Sequence, residues 1–507
     1  MRIDALETKI LETPSDALLV GVSTELLNEQ GLLPRLNDAL RGVIGEEIKG
    51  KRLTGKLGEV RMLHTLGLLP VRTVILLGLG ERRQLTALKL KESWAKALRK
   101  ARQEGLEEML VCFGSFRTDA VDAHTLGETF ALAAHLSQYR FQDYKTKQEE
   151  SNERVVQHLA LGIPPELKED VLYGIETGTA IADGVNLART LVTTPANKLT
   201  PEVFSVQVVE IAKRYGLPYE VLDRKDMVEK GMGALLAVAQ GSANPPKLVT
   251  VRYQGRSTWD DGPVLAFVGK GITFDTGGIS LKPALNMEEM IMDMGGAAAV
   301  AGALEAIARL KPAVNILFVM PMVENMPDGA AYRPGDVLTS MSGKTIEVIS
   351  TDAEGRLILA DAITYAKQLG ATHLVDLATL TGAVLIALGT QTTGAMTNND
   401  DWWQAVQKAA ETAGERIWLL PTYDVYREQY QSAVADMKNT GGRNAGTITA
   451  GMFLGEFAED TPWVHLDIAG TAWDSKGTDL TPKGATGVMV QTLVMLARQE
   501  AANRKSV

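Results

Sequence analysis

Lys344-Thr345-Ile346-Glu347-Val348-Ile349-Ser350-Thr351-Asp352-Ala353-Glu354-Gly355-Arg356-Leu357 runs from an extended segment, Lys344 to Ile349, into a stretch with apolar side chains at Ile358, Ala362, Tyr365 and Leu369, ahead of Gly370. That recurrence is helical, so the stretch reads as a strand feeding a helix and points to an α/β fold. Asp352, Glu354 and Arg356 crowd the junction. On extended backbone, side chains two apart point the same way, so the spacing predicts that Asp352 and Glu354 converge on one centre while Arg356 enters the first helical turn. The bland alternative is that Asp352 caps the helix and Glu354 complements its dipole.

The other carboxylates favour chemistry over capping. Val268-Gly269-Lys270-Gly271-Ile272-Thr273-Phe274-Asp275-Thr276-Gly277-Gly278-Ile279-Ser280-Leu281-Lys282-Pro283 follows an apolar run, Pro263 to Val268, that reads as a buried strand. Four glycines at a strand end let backbone approach a ligand, and the stretch is expected to be a site loop. Asn286 to Leu310 reads as one helix with an apolar stripe at Met287, Met290, Met294 and Ala297. Asp293 falls on or beside that stripe, where an acid must be paired, protonated or metal-bound to avoid a large desolvation cost. The Gly295-Gly296 pair costs about 1 kcal/mol per glycine inside a helix, which implies a close packing neighbour there.

Asp275, Asp293, Asp352 and Glu354, with Lys270, Lys282 and Arg356 around them, make a candidate site whose density of negative charge calls for divalent cations. Two ions suit it better than one, because carboxylates bridge and a pair can hold both water and substrate. Hard oxygen donors fit Mg2+ or Mn2+ and tolerate Zn2+. The histidines His64, His124, His135, His158, His373 and His465 all lie outside these segments. His373 and His465 sit in strand-like HLVDLATL and WVHLDIAG, where a core histidine is the expected reading.

VGKGITFDTGGISLKP, the DMGGAAAV helix and TDAEGRL, in that order and at these separations, resemble the leucyl (cytosol) aminopeptidase family of two-metal exopeptidases. NLARTLVTTPANKLTP, PMVENMPDGAAYRPGDVLTSMSGKTIEV, HLVDLATLTGA and WVHLDIAGTAW extend the likeness over about Asp183 to Leu496. The resemblance implies a larger catalytic domain with a central mixed sheet flanked by helices. It implies that Lys270, Asp275, Asp293 and Glu354 hold the tighter metal, and Asp275, Asp352 and Glu354 the more exchangeable one, as Mn2+ or Zn2+. Lys282 would polarise the scissile carbonyl, and Arg356 would hold a bicarbonate acting as general base. Met290, Thr379, Gly382 and Ala469 would wall an apolar pocket favouring leucine and other apolar N-terminal residues of short peptides with a free amine. A homohexamer is implied as well. Ser350 departs from the family's usual asparagine, so a local hydrogen-bond change is expected there.

The chain's 507 residues suggest two domains, expected at 1–165, an α/β domain with a short sheet, and 166–507. Ala17–Val22, Thr73–Leu79 and Glu108–Phe113 read as strands and Leu85–Gln103 as a helix; Gln142–Arg154 is the expected boundary, and Gly174–Thr194 looks largely helical. A net charge of −10 disfavours nonspecific nucleic-acid binding by the whole chain, while a local basic patch stays open. The lone Cys112 in MLVCFG reads as a buried thiol, and the acidic N-terminus does not read as a signal peptide, so a cytoplasmic protein without a membrane span is expected. Gly78-Leu79-Gly80 hints at a dinucleotide fingerprint, but Arg83 occupies the third glycine position. Two rival functions remain from sequence: a DNA-binding or regulatory role on the same fold, and a two-metal phosphoesterase.

Overall fold

A computed structural model describes residues 1–6, 8–25, 32–146 and 154–503. Contacts group the chain into Met1–Ala182 with Gly477–Pro482, and Asp183–Lys476 with Lys483–Val507. Most of the expected boundary segment Gln142–Arg154 lies outside the described residues.

In the first unit, β1 (Arg2–Ala5), β2 (Ser15–Val22), β3 (Val60–His64), β4 (Val71–Gly78), β5 (Glu108–Val111) and β6 (His158–Leu161) form one sheet in the order β1-β6-β5-β2-β4-β3. All neighbours are parallel except β3 with β4. A parallel sheet is covered on both faces, which is why β2 and β4 read as continuous apolar runs. One cover is the Ala87–Gln103 helix, whose Trp94 packs on Phe113, Phe116 and Phe130. Its first turn is capped by Thr86, whose hydroxyl accepts from the Lys89 amide at 3.3 Å. The expected strand Glu108–Phe113 stops at Val111 because Phe113–Phe116 turns as a 3-10 helix. Cys112, at that bend, is half-buried rather than fully buried, and burial raises its thiol pKa.

The second unit is built on β7 (Tyr219–Leu222), β8 (Lys247–Gln254), β9 (Val264–Gly269), β10 (Gly271–Asp275), β11 (Asn315–Asn325), β12 (Val337–Thr339), β13 (Thr345–Glu347), β14 (His373–Ala378), β15 (Thr393–Thr397), β16 (Ile417–Leu419), β17 (Met437–Lys438) and β18 (Trp463–Asp467). Nine of them make a mixed sheet ordered β16-β15-β18-β14-β9-β11-β8-β7, with β10 beside β11, and β12-β13-β17 make a small one. The centre, β18-β14-β9-β11, is parallel. Every residue of β9, β11 and β18 is buried. The helices Gly295–Leu310, Gly355–Gln368 and Gly446–Ala458 pack against this sheet. This is the expected mixed sheet flanked by helices, and its consequence for function is geometric: the carboxyl ends of β9, β10, β11, β14 and β18 share an edge, where ligands of such sheets bind.

Three local readings need correction. The segment taken as one site loop contains a strand, β10, so only Thr276 onward is loop. Asn286–Leu310 is not one α-helix: Met287–Met294 is a 3-10 run, and the α-helix begins at Gly295. The break lets Asp293 leave the apolar stripe's line and face the sheet edge. Glu354 is not extended but sits at the helix start with φ −80° and ψ −36°, and no side chain caps that end. Asp352 is therefore not a capping residue. Met287–Leu310 is long and apolar enough to cross a membrane, yet 78% of its apolar window is buried inside the unit, as in a core helix.

Asp361, in the Gly355–Gln368 helix, ties the Gly233–Val238 helix and the turn at Met341 to it by accepting from the amides of Leu235 at 2.9 Å and Met341 at 2.8 Å. Burial pushes its carboxyl up to about 7 against the pull of those N–H groups.

Candidate active site

Lys270 is the hinge between β9 and β10, and it is pinned by backbone bonds from its own amide to Leu377 O at 2.9 Å and from Ala297 N to its carbonyl at 2.8 Å. A Cβ on Gly296 would collide with the Leu377 carbonyl and stand 2.9 Å from Lys270 N, so this is the close neighbour that the glycine pair serves. Gly355 does the same from the other side, since a Cβ there would lie 2.5–2.7 Å from the end of the Lys270 side chain. Held this way, the Lys270 ammonium is 2.8 Å from Asp293 Oδ1, 2.8 Å from Glu354 Oε1 and 2.9 Å from Thr379 O. Burial works against its charge, but Asp293, Glu354 and Asp275 together raise its pKa.

Asp275 ends β10 in register with Asn325, which ends β11. Its Oδ1 accepts from Gly277 N and Asn325 Nδ2, both at 2.8 Å, and its Oδ2 meets Lys282 Nζ at 2.9 Å. Lys282 also reaches Asp352 Oδ1 at 2.5 Å. Asp275, Asp293 and Glu354 bring one oxygen each to within 4.8 Å of one another, all buried. Asp352 stands at the rim, its side chain 38% exposed, joined to the cluster through Lys282. Burial raises the pKa values of Asp275, Asp293 and Asp352, with neighbouring carboxylates adding to it and the lysines opposing. Carboxylates pressed together at this cost need cations.

Two oxygens identify where a cation fits. Asp293 Oδ2 and Glu354 Oε2 are buried and, among the described residues, meet no hydrogen-bond donor. Native interiors seldom leave such atoms unsatisfied. An all-oxygen set with one amine beside it is a suitable donor set for hard or borderline divalent ions. Arg356, 6% exposed in the first helical turn, has its Nε likewise unsatisfied.

Of the candidate pocket residues, Thr379 is in the cluster, its hydroxyl donating to Asp293 Oδ1 at 2.7 Å. Met290 is half-buried in the 3-10 run, Gly382 opens the Gly382–Leu388 helix with open space where a side chain would stand, and Ala469 is buried just beyond β18. His465 is wholly buried, as expected of a core histidine, whereas His373 is half-buried at the start of β14 against the edge of Trp402.

The sequence reading missed the residues that hold the ligand-bearing loops. Asn325 Nδ2 bonds both Asp275 Oδ1 and Thr351 O, at 2.8 and 3.0 Å. Thr351 exchanges bonds with Ser280 and donates to Gly277 O, and Tyr332 donates to Thr351 O. Asn439 accepts from Ile349 N and donates to Ser350 O. At the departing Ser350, the hydroxyl accepts from Asp352 N at 3.3 Å. A signal existed for Asn325: a polar residue closing an eleven-residue buried strand.

The chain as a whole has counterparts among known proteins. Residues 186–494 match the model of the cytosol aminopeptidase family catalytic domain, and residues 19–148 match that of its N-terminal domain. The chain belongs to the cytosol aminopeptidase family. Probable cytosol aminopeptidases of Alkaliphilus metalliredigens and Alkaliphilus oremlandii are 44% and 43% identical to it, over 98% of this chain and 99% of each relative. Among solved structures, the bottromycin maturation enzyme BotP in complex with Mn is similar at TM-score 0.84 and 33% identity, covering 96% of this chain and 100% of that one. A mutant of tomato leucine aminopeptidase is similar at TM-score 0.85 and 33% identity, covering 98% and 96%. The chain is thus a hydrolase, a metal-dependent aminopeptidase of this family. None of these matches describes a DNA-binding or regulatory protein, and that alternative is without support.

Proposed function

We propose that Lys270, Asp275, Asp293 and Glu354 hold one divalent ion, that Asp275, Asp352 and Glu354 hold a second, and that Lys282 and Arg356 act on the peptide bond beside them. The observation that carries this reading is the pair of buried, unsatisfied oxygens on Asp293 and Glu354 facing a cluster already crowded with carboxylates. Bound there, Mn2+ or Zn2+ supplies a water of lowered pKa and Lewis-acid polarisation of the scissile carbonyl. Lys270, whose ammonium now neutralises Asp293 and Glu354, would give up its proton beside a bound dication and could serve as a neutral amine ligand.

The chain's own groups do the rest. Asp293 receives the free α-amine of the peptide and sets the register that makes the enzyme an exopeptidase. Lys282 reaches the cluster from a partly open position and is held protonated, because Asp275, Glu354 and Asp352 outweigh its burial. It donates to the carbonyl oxygen as negative charge develops. Burial pushes Arg356 down to about 10, with Glu354 and Asp467 opposing, so it stays cationic at neutral pH and suits a bicarbonate that takes the water's proton. Met290, Thr379, Gly382 and Ala469 line the subsite for leucine and other apolar first residues; a methylene more or less changes binding by about 1–3 kcal/mol, so specificity is broad. Short peptides are the substrates, a cytoplasmic homohexamer is the working form, and residues 1–165 serve regulation or assembly; the relatives' names support the cytosolic aminopeptidase reading, and family resemblance alone supports the peptide length, the hexamer and the role of residues 1–165.

Metal analysis after chelation and reloading tests the ligand division. Wild type is expected to take up two ions per chain and Asp352→Ala one. An Asp352→Ala protein that keeps both, or holds none, contradicts the division.

A further inference from the structure

The carboxyl end of β14 grips two of the proposed ligands at once. Lys270 donates from its backbone amide to Leu377 O at 2.9 Å and from Nζ to Thr379 O at 2.9 Å, so both of its ends are held by residues two apart. The Thr379 hydroxyl donates to Asp293 Oδ1 at 2.7 Å, the same oxygen that Lys270 Nζ meets at 2.8 Å. Thr379 therefore joins Lys270, at the hinge between β9 and β10, to Asp293, 23 residues further on in the 3-10 run. Its own backbone is fixed on either side: Ile468 N donates to Ala378 O at 2.8 Å, and Leu380 N to Asp467 Oδ1 at 3.1 Å. Thr379 and Asp293 are 5% and 6% exposed, so the bond between them is shielded from solvent.

These contacts sort the two oxygens of Asp293. Oδ1 takes both protein donors, while Oδ2 is buried and, among the described residues, meets none. The last torsion of an aspartate is soft, and a donor at the end of a long lysine stem restrains it weakly. A short β-branched side chain is stiff at χ1 and restrains it better. The other branch of Thr379, its methyl, faces the start of the Gly295–Leu310 helix: a Cβ on Gly295 would stand 3.6 Å from it, beside Ala472 and Ile468. With the methyl on that side, the hydroxyl is aimed at Asp293. We propose that Thr379 is a positioning residue for Asp293, whose hydroxyl, by holding Oδ1, turns Oδ2 toward the tighter ion of the proposed pair. This role is separate from the pocket wall that the same residue lends. The inference rests on the ligand division proposed above.

Thr379→Val tests it, because valine keeps the side chain's shape and the backbone carbonyl and removes only the donor. Thr379→Ser restores the hydroxyl, Asp293→Ala removes the ligand itself, and Thr379→Ala replaces the valine variant if that one does not fold. Mn2+ is titrated into chelator-stripped protein, and the affinities of the two ions are read by calorimetry. In Thr379→Val the tighter ion should bind roughly tenfold to a hundredfold more weakly, the range for partners that orient a metal ligand, with the second ion unchanged. Thr379→Ser should bind both ions as the wild type does. Wild-type affinity for the tighter ion in Thr379→Val, equal weakening of both ions, or a loss that serine does not restore would overturn the proposal. If Asp293→Ala loses the tighter ion and Thr379→Val holds it normally, this inference alone fails. If Asp293→Ala takes up both ions with wild-type affinity, the ligand division falls and this inference with it.

Discussion

Replacing Asp275 by alanine is expected to strip both metal ions and to lower turnover on the order of ten-thousand-fold. The physical reason is its place: Asp275 ends a strand with one oxygen fixed by Gly277 N and Asn325 Nδ2 and the other toward Lys282. A carboxylate so tightly oriented would serve as a ligand in both proposed sites, and its loss would leave neither with its full set. Metal assistance is worth several kcal/mol of transition-state stabilisation, and each 1.36 kcal/mol is about tenfold in rate. Metal content by elemental analysis and kcat on a leucine amide measure the two losses together. Retention of two ions by Asp275→Ala would remove it from the bridging position.

Lys282→Ala is expected to separate what Asp275→Ala loses at once: kcat falls about a hundredfold to a thousandfold, the scale for one oxyanion donor, while the ions stay. Electrostatics gives the sign. Lys282 now neutralises Asp275 and Asp352 through contacts of 2.9 and 2.5 Å. Removing that positive charge makes the cluster more negative, which strengthens its hold on cations. Loss of metal in Lys282→Ala equal to that in Asp275→Ala would show that Lys282 is a structural counter-ion and not a group that acts on the substrate.

What was legible in the sequence, and what was not, follows from range. Strands β2, β4, β9, β14 and β18 were visible because burial on both faces writes continuous apolar runs. Strands β1, β3 and β6 were missed: they are four or five residues long and include exposed or half-buried positions. The candidate ligands stood out because charge in an apolar, glycine-rich setting needs a reason. Their mutual arrangement did not, since Asp352 and Glu354 share a motif yet differ in place, one at the rim with Lys282 and the other buried beside Lys270. The supports Asn325, Thr351 and Asn439 were invisible for a related cause: their partners are 19 to 90 residues away, and a lone Asn or Thr carries no periodic signal. His465 reads from sequence as a core histidine, which its burial bears out. Its pairing with Asp376 needed the register of two strands 89 residues apart.

The most direct measurement compares hydrolysis of leucine p-nitroanilide with that of its N-acetylated form, using protein stripped by a chelator and restored with Mn2+ or Zn2+. The account predicts no cleavage by stripped protein, recovery with either ion on the free-amine substrate, and none on the acetylated one. Cleavage of both substrates, or metal-loaded folded protein that cleaves neither, would contradict it.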